Sequence, residues 1–186
     1  GGLFLVHGDD NGLVLPPKIA PIQVVHITIH KKGEDTKLLD AYCQDAKETF
    51  QNGGVRVRLD DRDEPSVGRR FNEWEVKGLP VRVEIGDKEL NDRTVTIVRR
   101  DSGAKLTVQR DAMLVETEKI LKDMQIYLFT KAKKFLDDNT HTVDSYEEFA
   151  RIMSTTRGML RAFWCEDQVC EAKIKKNAAA GWNNVK

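Results

Sequence analysis

The 186-residue chain predicts an α/β fold, a mixed five-stranded sheet with helices, followed by a small α+β C-terminal element. Three stretches carry that prediction. Residues 55–86, VRVRLDDRDEPSVGRRFNEWEVKGLPVRVEIG, read as strand, short helix and strand. Val55, Val57 and Leu59 alternate with Arg56 and Arg58, and Val81, Val83 and Ile85 alternate with Arg82 and Glu84, the period of strands with one buried face. Residues 22–29, IQVVHITI, are β-branched and nearly continuous, as in a strand covered on both faces. From Met113 to Asp138, the positions Leu114, Ile120 or Leu121, Met124, Leu128, Ala132 and Phe135 recur at helical spacing among mixed charges.

Taken in order, residues 1–21, GGLFLVHGDDNGLVLPPKIAP, read as the end of an upstream domain and a proline-stiffened linker. Residues 3–6 form an apolar strand-like run, Asp9-Asp10-Asn11-Gly12 has turn chemistry, and Pro16-Pro17 stiffens the linker up to Pro21. His7, Asp9 and Asp10 are better read as that turn than as metal ligands. His26 and His30 fall on one strand face about 13 Å apart. That is too far to chelate one metal, so they read as strand-edge histidines. Asp35 or Thr36 caps a helix whose stripe is Leu38 or Leu39, Tyr42, Ala46 and Phe50, with Cys43 a small buried hydrophobe, and Asn52-Gly53-Gly54 stops it.

In the next unit, Ser66 is the expected N-cap and Gly78 the residue just past the helix end, before Pro80. Val67 and Trp74 form the stripe that meets the sheet. Phe71 and Glu75, four apart, share another face, so an aromatic, a carboxylate and a neighbouring strand arginine can sit together on an exposed rim. A hairpin comes after it, residues 94–98 and 106–108 around Asp101-Ser102-Gly103. Arg93, Arg99, Arg100, Lys105 and Arg110 make this stretch one-sided, and the plain reading is a strand edge guarded by cations. Beyond residue 140, Ser145 and Glu148 make a capping box for a helix through Thr155, residues 160–164 read as a strand, and residues 177–186 show no period.

Composition narrows the classes. Thirty basic and thirty acidic residues give a formal net charge of zero, with negative mean hydropathy. No apolar run approaches the roughly 20 residues of a membrane helix, and no basic, then apolar, leader opens the chain. Three cysteines argue against a disulfide framework and fit a reducing, cytoplasmic setting. There is no Gly-x-Gly-x-x-Gly or Walker run, no Gly-x-Ser-x-Gly and no His-Glu-x-x-His.

On HGDDNGLVLPPKIAPIQVV, LDDRDEPSVGRRFNEWEVKGLPVRVEIGDKEL and LRAFWCEDQVCEAKIK, the chain resembles the eukaryote- and archaea-like prolyl-tRNA synthetases up to about Lys176. These are class II enzymes that activate proline with ATP and pass it to tRNA. The resemblance implies that residues 1–21 are the tail of a catalytic domain with its linker, 22–139 a class II anticodon-binding domain, and 140–186 a partial zinc-type C-terminal domain. It carries no catalytic residue into this chain, because motifs 1 and 2 and the motif 3 arginine are absent from it; Gly1 and Gly2 remain as a substrate-pocket remnant. The chain alone is therefore expected to be inactive and to need no cofactor, ATP and Mg belonging to the longer enzyme.

For anticodon contacts the resemblance implies Phe71, Glu75, Arg82, Lys88 and Lys105. An unpaired base stacks on a phenyl ring or guanidinium, a glutamate accepts from guanine N1 and N2, and lysines reach phosphates or guanine O6. Cys165 and Cys170 match the first pair of a four-cysteine zinc site whose second pair is missing, so zinc is not expected to occupy it. The implied partner is tRNA(Pro), within a homodimeric parent enzyme and with no DNA or membrane. The alternatives are a free-standing anticodon-domain paralogue acting as an RNA-binding or regulatory module, and a plain interaction domain.

Overall fold

The computed structural model describes residues 1–30 and 36–182. The chain folds as two units, Gly1–Thr130 and Lys131–Lys186.

The first unit begins with α1 (Gly2–His7), continues through β1 (Val24–Ile29), α2 (Lys37–Asn52), β2 (Val57–Asp60), α3 (Val67–Val76), β3 (Val81–Gly86), α4 (Asp87–Asp92), β4 (Thr94–Arg99) and β5 (Lys105–Gln109), and ends within α5 (Met113–Asp138). The five strands form the expected mixed sheet, in the order β2-β1-β3-β4-β5. β1 runs parallel to β2 and β3, and β4 runs antiparallel to β3 and β5.

Alternation along β1 and β3 splits the interior into two layers. On one face Val24, Val81, Val83, Ile85, Val95 and Ile97 pack against Leu39, Cys43, Ala46 and Phe50 of α2 and Met113, Ile120, Leu121 and Met124 of α5. On the other, Val25 and Ile27 meet Trp74 and Leu79, with Ile22 and Phe71 at the margin. Because β1 lies inside the sheet, between β2 and β3, and is covered on both faces, its apolar run is continuous rather than alternating. His26 is consequently no strand-edge residue: it is fully buried. His30 lies at the strand's end and faces Asp63 at 3.3 Å.

Several local readings change. Residues 3–6 belong to α1, where the Leu5 amide donates to the Gly1 carbonyl and the Gly8 amide to the Phe4 carbonyl. Four apolar residues have no period of their own, and this run closes local helical bonds instead of joining a ladder. α4 was not anticipated, since six polar-rich residues carry no stripe. It starts where the Glu89 carboxylate reaches back to the Gly86 amide at 3.1 Å, and it ends at Arg93 in a left-handed conformation. Thr36 precedes α2 and bonds through its hydroxyl to Asp40, whereas Asp35 lies outside the described residues. Ser66 occupies the N-cap position of α3 without a side-chain cap bond. On α5, Leu114 packs at the edge of the core but Phe135 is exposed.

The cations of residues 93–110 are mostly engaged rather than arrayed along an edge. Arg99 grips Asp101, Arg110 reaches Asp45, and Arg100 reaches Asp9. Gly12 and Gly78 make the last of these contacts possible. Both have positive φ, and a Cβ would stand 2.8 Å from the Val76 Cα at Gly12 and 2.8 Å from the Leu13 carbonyl oxygen at Gly78. Residues 13–15 therefore run against the end of α3, with the Leu13 and Leu15 amides donating to the Val76 and Gly78 carbonyls.

In the second unit, β6 (Thr140–Thr142) pairs in parallel with β7 (Met159–Arg161), beside α6 (Tyr146–Ser154) and α7 (Gln168–Trp182). The Ser145 hydroxyl accepts the Glu148 amide at 3.2 Å, as the capping motif predicts. β7 is shorter than expected, leaving Phe163 and Trp164 exposed. Residues 177–182, expected to be loose, continue α7. Among the described residues, no helix is long and apolar enough to cross a membrane.

Candidate nucleic-acid interface

With Val81, Val83 and Ile85 turned toward α2 and α5, Arg82 and Glu84 must emerge on the opposite face of β3. The register extends this face across the hairpin. Arg82 stands opposite Val98 and Val98 opposite Lys105, while Glu84 stands opposite Thr96 and Thr96 opposite Thr107. α3 covers the neighbouring strand, β1, and presents Phe71 and Glu75 at the margin of this face.

Four charges of alternating sign meet there. The Arg82 guanidinium carbon lies 4.0 Å from the centroid of the Phe71 ring. Its Nη1 donates to Glu75 Oε1 at 2.8 Å and its Nε donates to Glu84 Oε1 at 2.8 Å. Lys105 Nζ approaches Glu84 Oε2 at 3.5 Å. Two carboxylates thus balance two cations, so the cluster carries no net charge to attract phosphate by itself. The two inner members, Arg82 and Glu84, are 9% exposed at the side chain, while Glu75 is 42% and Lys105 59% exposed. Beside them the Thr96 hydroxyl donates to Glu89 Oε1 at 3.2 Å and lies 3.1 Å from the Thr107 hydroxyl.

Behind this face two networks hold α3 in place. Arg100 donates through Nε to the Glu75 carbonyl at 3.1 Å and through both terminal nitrogens to Asp9, and that hydrogen bonding holds the Asp9 carboxyl below its ordinary range. On the far side Asp60, 3% exposed, accepts Trp74 Nε1 at 2.6 Å and a two-pronged bond from Arg62 at 2.8 and 2.7 Å. Burial would raise the Asp60 carboxyl, but the Arg62 and Trp74 hydrogen bonds outweigh it and hold it down to about 2. Buried Arg70 donates to the carbonyls of Asp60 and Thr28 at 2.9 Å each.

Phe71, Glu75, Arg82 and Lys105 are therefore brought together. Lys88 is exposed on the first turn of α4 and, among the described residues, joins no ion pair of this cluster. Gly1 and Gly2 are exposed with open space where a Cβ would stand, so neither position requires glycine for close packing. Cys165 and Cys170 are exposed thiols, and the neighbouring Cys165 raises Cys170. Two thiols do not complete a four-ligand zinc site, and among the described residues no three His, Cys, Asp or Glu side chains group to hold a metal. Glu84 and Arg100 were missed as members of the site. For Glu84 the signal was present, two residues from Arg82 on the same strand face; for Arg100 none was local, because its partner is Asp9.

Comparison with known proteins gives a consistent set of likenesses. The family described as "Anticodon binding domain" matches residues 23–120. The chain is 42% identical over 183 residues to a proline–tRNA ligase of Natranaerobius thermophilus, covering 97% of this chain and 37% of the relative. It is 37% identical over 178 residues to a proline–tRNA ligase of Pyrococcus horikoshii, covering 96% of this chain and 37% of the relative. The chain thus spans little more than a third of the length of the curated relatives it matches. Among solved structures it resembles the prolyl-tRNA synthetase of Cryptosporidium parvum in complex with L-proline and AMP, with a TM-score of 0.86 at 36% identity over 96% of this chain and 38% of that one.

Proposed function

This chain belongs to the anticodon binding domain family, and on that premise we propose that the face of β3–β4–β5 that carries Arg82, Glu84 and Lys105, with the adjoining margin of α3, reads the anticodon of tRNA(Pro). The observation that carries the reading is the Arg82 guanidinium held over the Phe71 ring, its carbon 4.0 Å from the ring centroid, between two carboxylates. A flat cation on an aromatic ring is a stacking platform for an unpaired base, and a partly exposed carboxylate beside it accepts from a base edge that presents two donors, as guanine does. Glu75 takes that accepting role, Phe71 and Arg82 form the platform, and Lys105 meets O6 or a phosphate. Exposed Lys88 acts on the RNA backbone. The neutral balance of the cluster favours base reading over phosphate attraction, which leaves backbone affinity to cations outside it.

The relatives are longer proline–tRNA ligases, and the wider setting we propose is such a ligase that activates proline with ATP and Mg, transfers it to tRNA(Pro) and works as a homodimer in the cytoplasm. In that setting this chain supplies RNA recognition, and none of its residues is assigned to adenylate chemistry. The test compares affinity for a proline anticodon stem-loop with that for a loop whose guanines are replaced by adenines, at two salt concentrations. A clear preference for the guanine loop is expected at both. Equal affinities would overturn the reading and leave only a general RNA-binding surface.

A further inference from the structure

Resting on the anticodon-reading assignment, we infer that Glu84 is the positioning residue of the site, the carboxylate that decides which donors of Arg82 and Lys105 face the RNA. Its side chain is 9% exposed and its two oxygens face different cations, Oε1 toward Arg82 Nε at 2.8 Å and Oε2 toward Lys105 Nζ at 3.5 Å. With Nε bound to Glu84 and Nη1 bound to Glu75, the guanidinium is held from two sides with its carbon 4.0 Å from the centroid of the Phe71 ring. Nη2 has no hydrogen-bond partner among the described residues, so it is the donor of the fork left for a ligand. Lys105 approaches Glu84 at 3.5 Å with a side chain that is 59% exposed, so Glu84 draws its ammonium toward the sheet face while leaving it open to a ligand.

Charge sharpens the point. Without Glu84, two cations would face RNA against one remaining carboxylate, and any phosphate would compete with the base for them. Glu84 therefore favours selectivity at the expense of general affinity, because it neutralises donors that would otherwise grip every RNA alike. A residue serving only to keep the sheet folded would leave no such trade-off when replaced.

Binding of the guanine and adenine loops to the Glu84→Gln and Glu84→Asp variants provides the test. For Glu84→Gln the preference for guanine should fall by roughly tenfold, the order of one good base contact. At the same time affinity for the adenine loop should rise and its salt dependence steepen, by about one released cation or more. Glu84→Asp retains the charge but withdraws the carboxylate from Nε, so preference should fall without that gain. In an Arg82→Ala, Lys105→Ala background, Glu84→Gln should have no further effect on preference. Unchanged preference in both Glu84 variants, or a uniform loss for the two loops, would overturn this role while the unmutated chain still discriminated. Should neither variant fold, the Arg82 Nε–H of the unmutated chain decides: protection from solvent exchange supports the bond to Glu84, and free exchange overturns it.

Discussion

Asp9 and Arg100 lie ninety-one residues apart in sequence and meet in a two-pronged ion pair, with Nη1 to Oδ2 at 2.8 Å and Nη2 to Oδ1 at 2.6 Å. The same guanidinium donates to the Glu75 carbonyl, so the turn at residues 9–12 and the end of α3 share one anchor. The two ends are unequal. Arg100 is 5% exposed at the side chain and Asp9 40% exposed. Asp9→Ala should cost about 0–1 kcal/mol, because water screens its side of the pair. Arg100→Ala should cost about 1–3 kcal/mol, since it also strips the Glu75 carbonyl of its donor. Urea titration of the two variants checks the order, and equal losses would refute it.

Phe71→Ala should weaken binding of every stacked loop by about 1–3 kcal/mol without favouring one base, because every base has a face to stack. Phe71 also packs at the margin of the layer of Val25, Ile27, Trp74 and Leu79. Binding is therefore to be compared at temperatures where both proteins are folded, with Phe71→Leu as the variant that retains packing and loses the ring. Full affinity in Phe71→Leu would remove the stacking role.

Glu75 and Lys88 should separate by the kind of loss. Glu75→Gln keeps the shape but replaces one acceptor by a donor, so the preference for guanine over adenine should fall by about 1–3 kcal/mol, the order of a good base contact. Affinity for other RNAs should hold or rise. Lys88→Ala should weaken guanine and adenine loops alike and reduce the salt slope by roughly one charge. A base-dependent effect at Lys88 would place it on a base edge instead.

Acid should destabilise the fold in two windows. Burial pushes the His26 imidazole down from 6.5 to about 3, helped by the nearby Arg110 charge. The folded state therefore excludes a proton that the unfolded chain accepts, and the associated stability, present above 6.5, is lost as pH falls from there toward 3. Asp60, held at about 2 against 3.8, adds a second loss from near 3.8 downward. Each window has a limiting slope of about 1.4 kcal/mol per pH unit. Neither ring nitrogen of His26 has a hydrogen-bond partner among the described residues. His26→Leu should therefore fold at neutral pH and flatten stability between pH 6 and 4, as followed by urea unfolding. An unchanged slope would show that other groups bind the protons.

Much of the site was legible because its geometry is periodic. Alternation alone puts Arg82 and Glu84 on the face opposite Val81, Val83 and Ile85, and a four-residue interval alone puts Phe71 beside Glu75 on α3. The bounds of α5 were readable for the same reason, since 26 residues repeat the stripe many times. Short elements had no such averaging: residues 3–6 and α4 each span too few residues for a period to declare itself.

What the tertiary structure decided is which residues meet across long intervals of chain. The order β2-β1-β3-β4-β5 places β1 inside the sheet between β2 and β3 and so buries His26, and it lays β5 two strands from β3, bringing Lys105 within reach of Glu84. The partnerships of Arg100 with Asp9 and Arg110 with Asp45 likewise turned a basic stretch into mostly neutral pairs, and Trp74 reaches across from α3 to hydrogen-bond the Asp60 carboxylate. Sequence determined the face on which each side chain emerges, because backbone geometry sets that residue by residue. Only the folded sheet determined whose charge each side chain meets there, because that depends on the global order of strands and on nothing encoded near either partner.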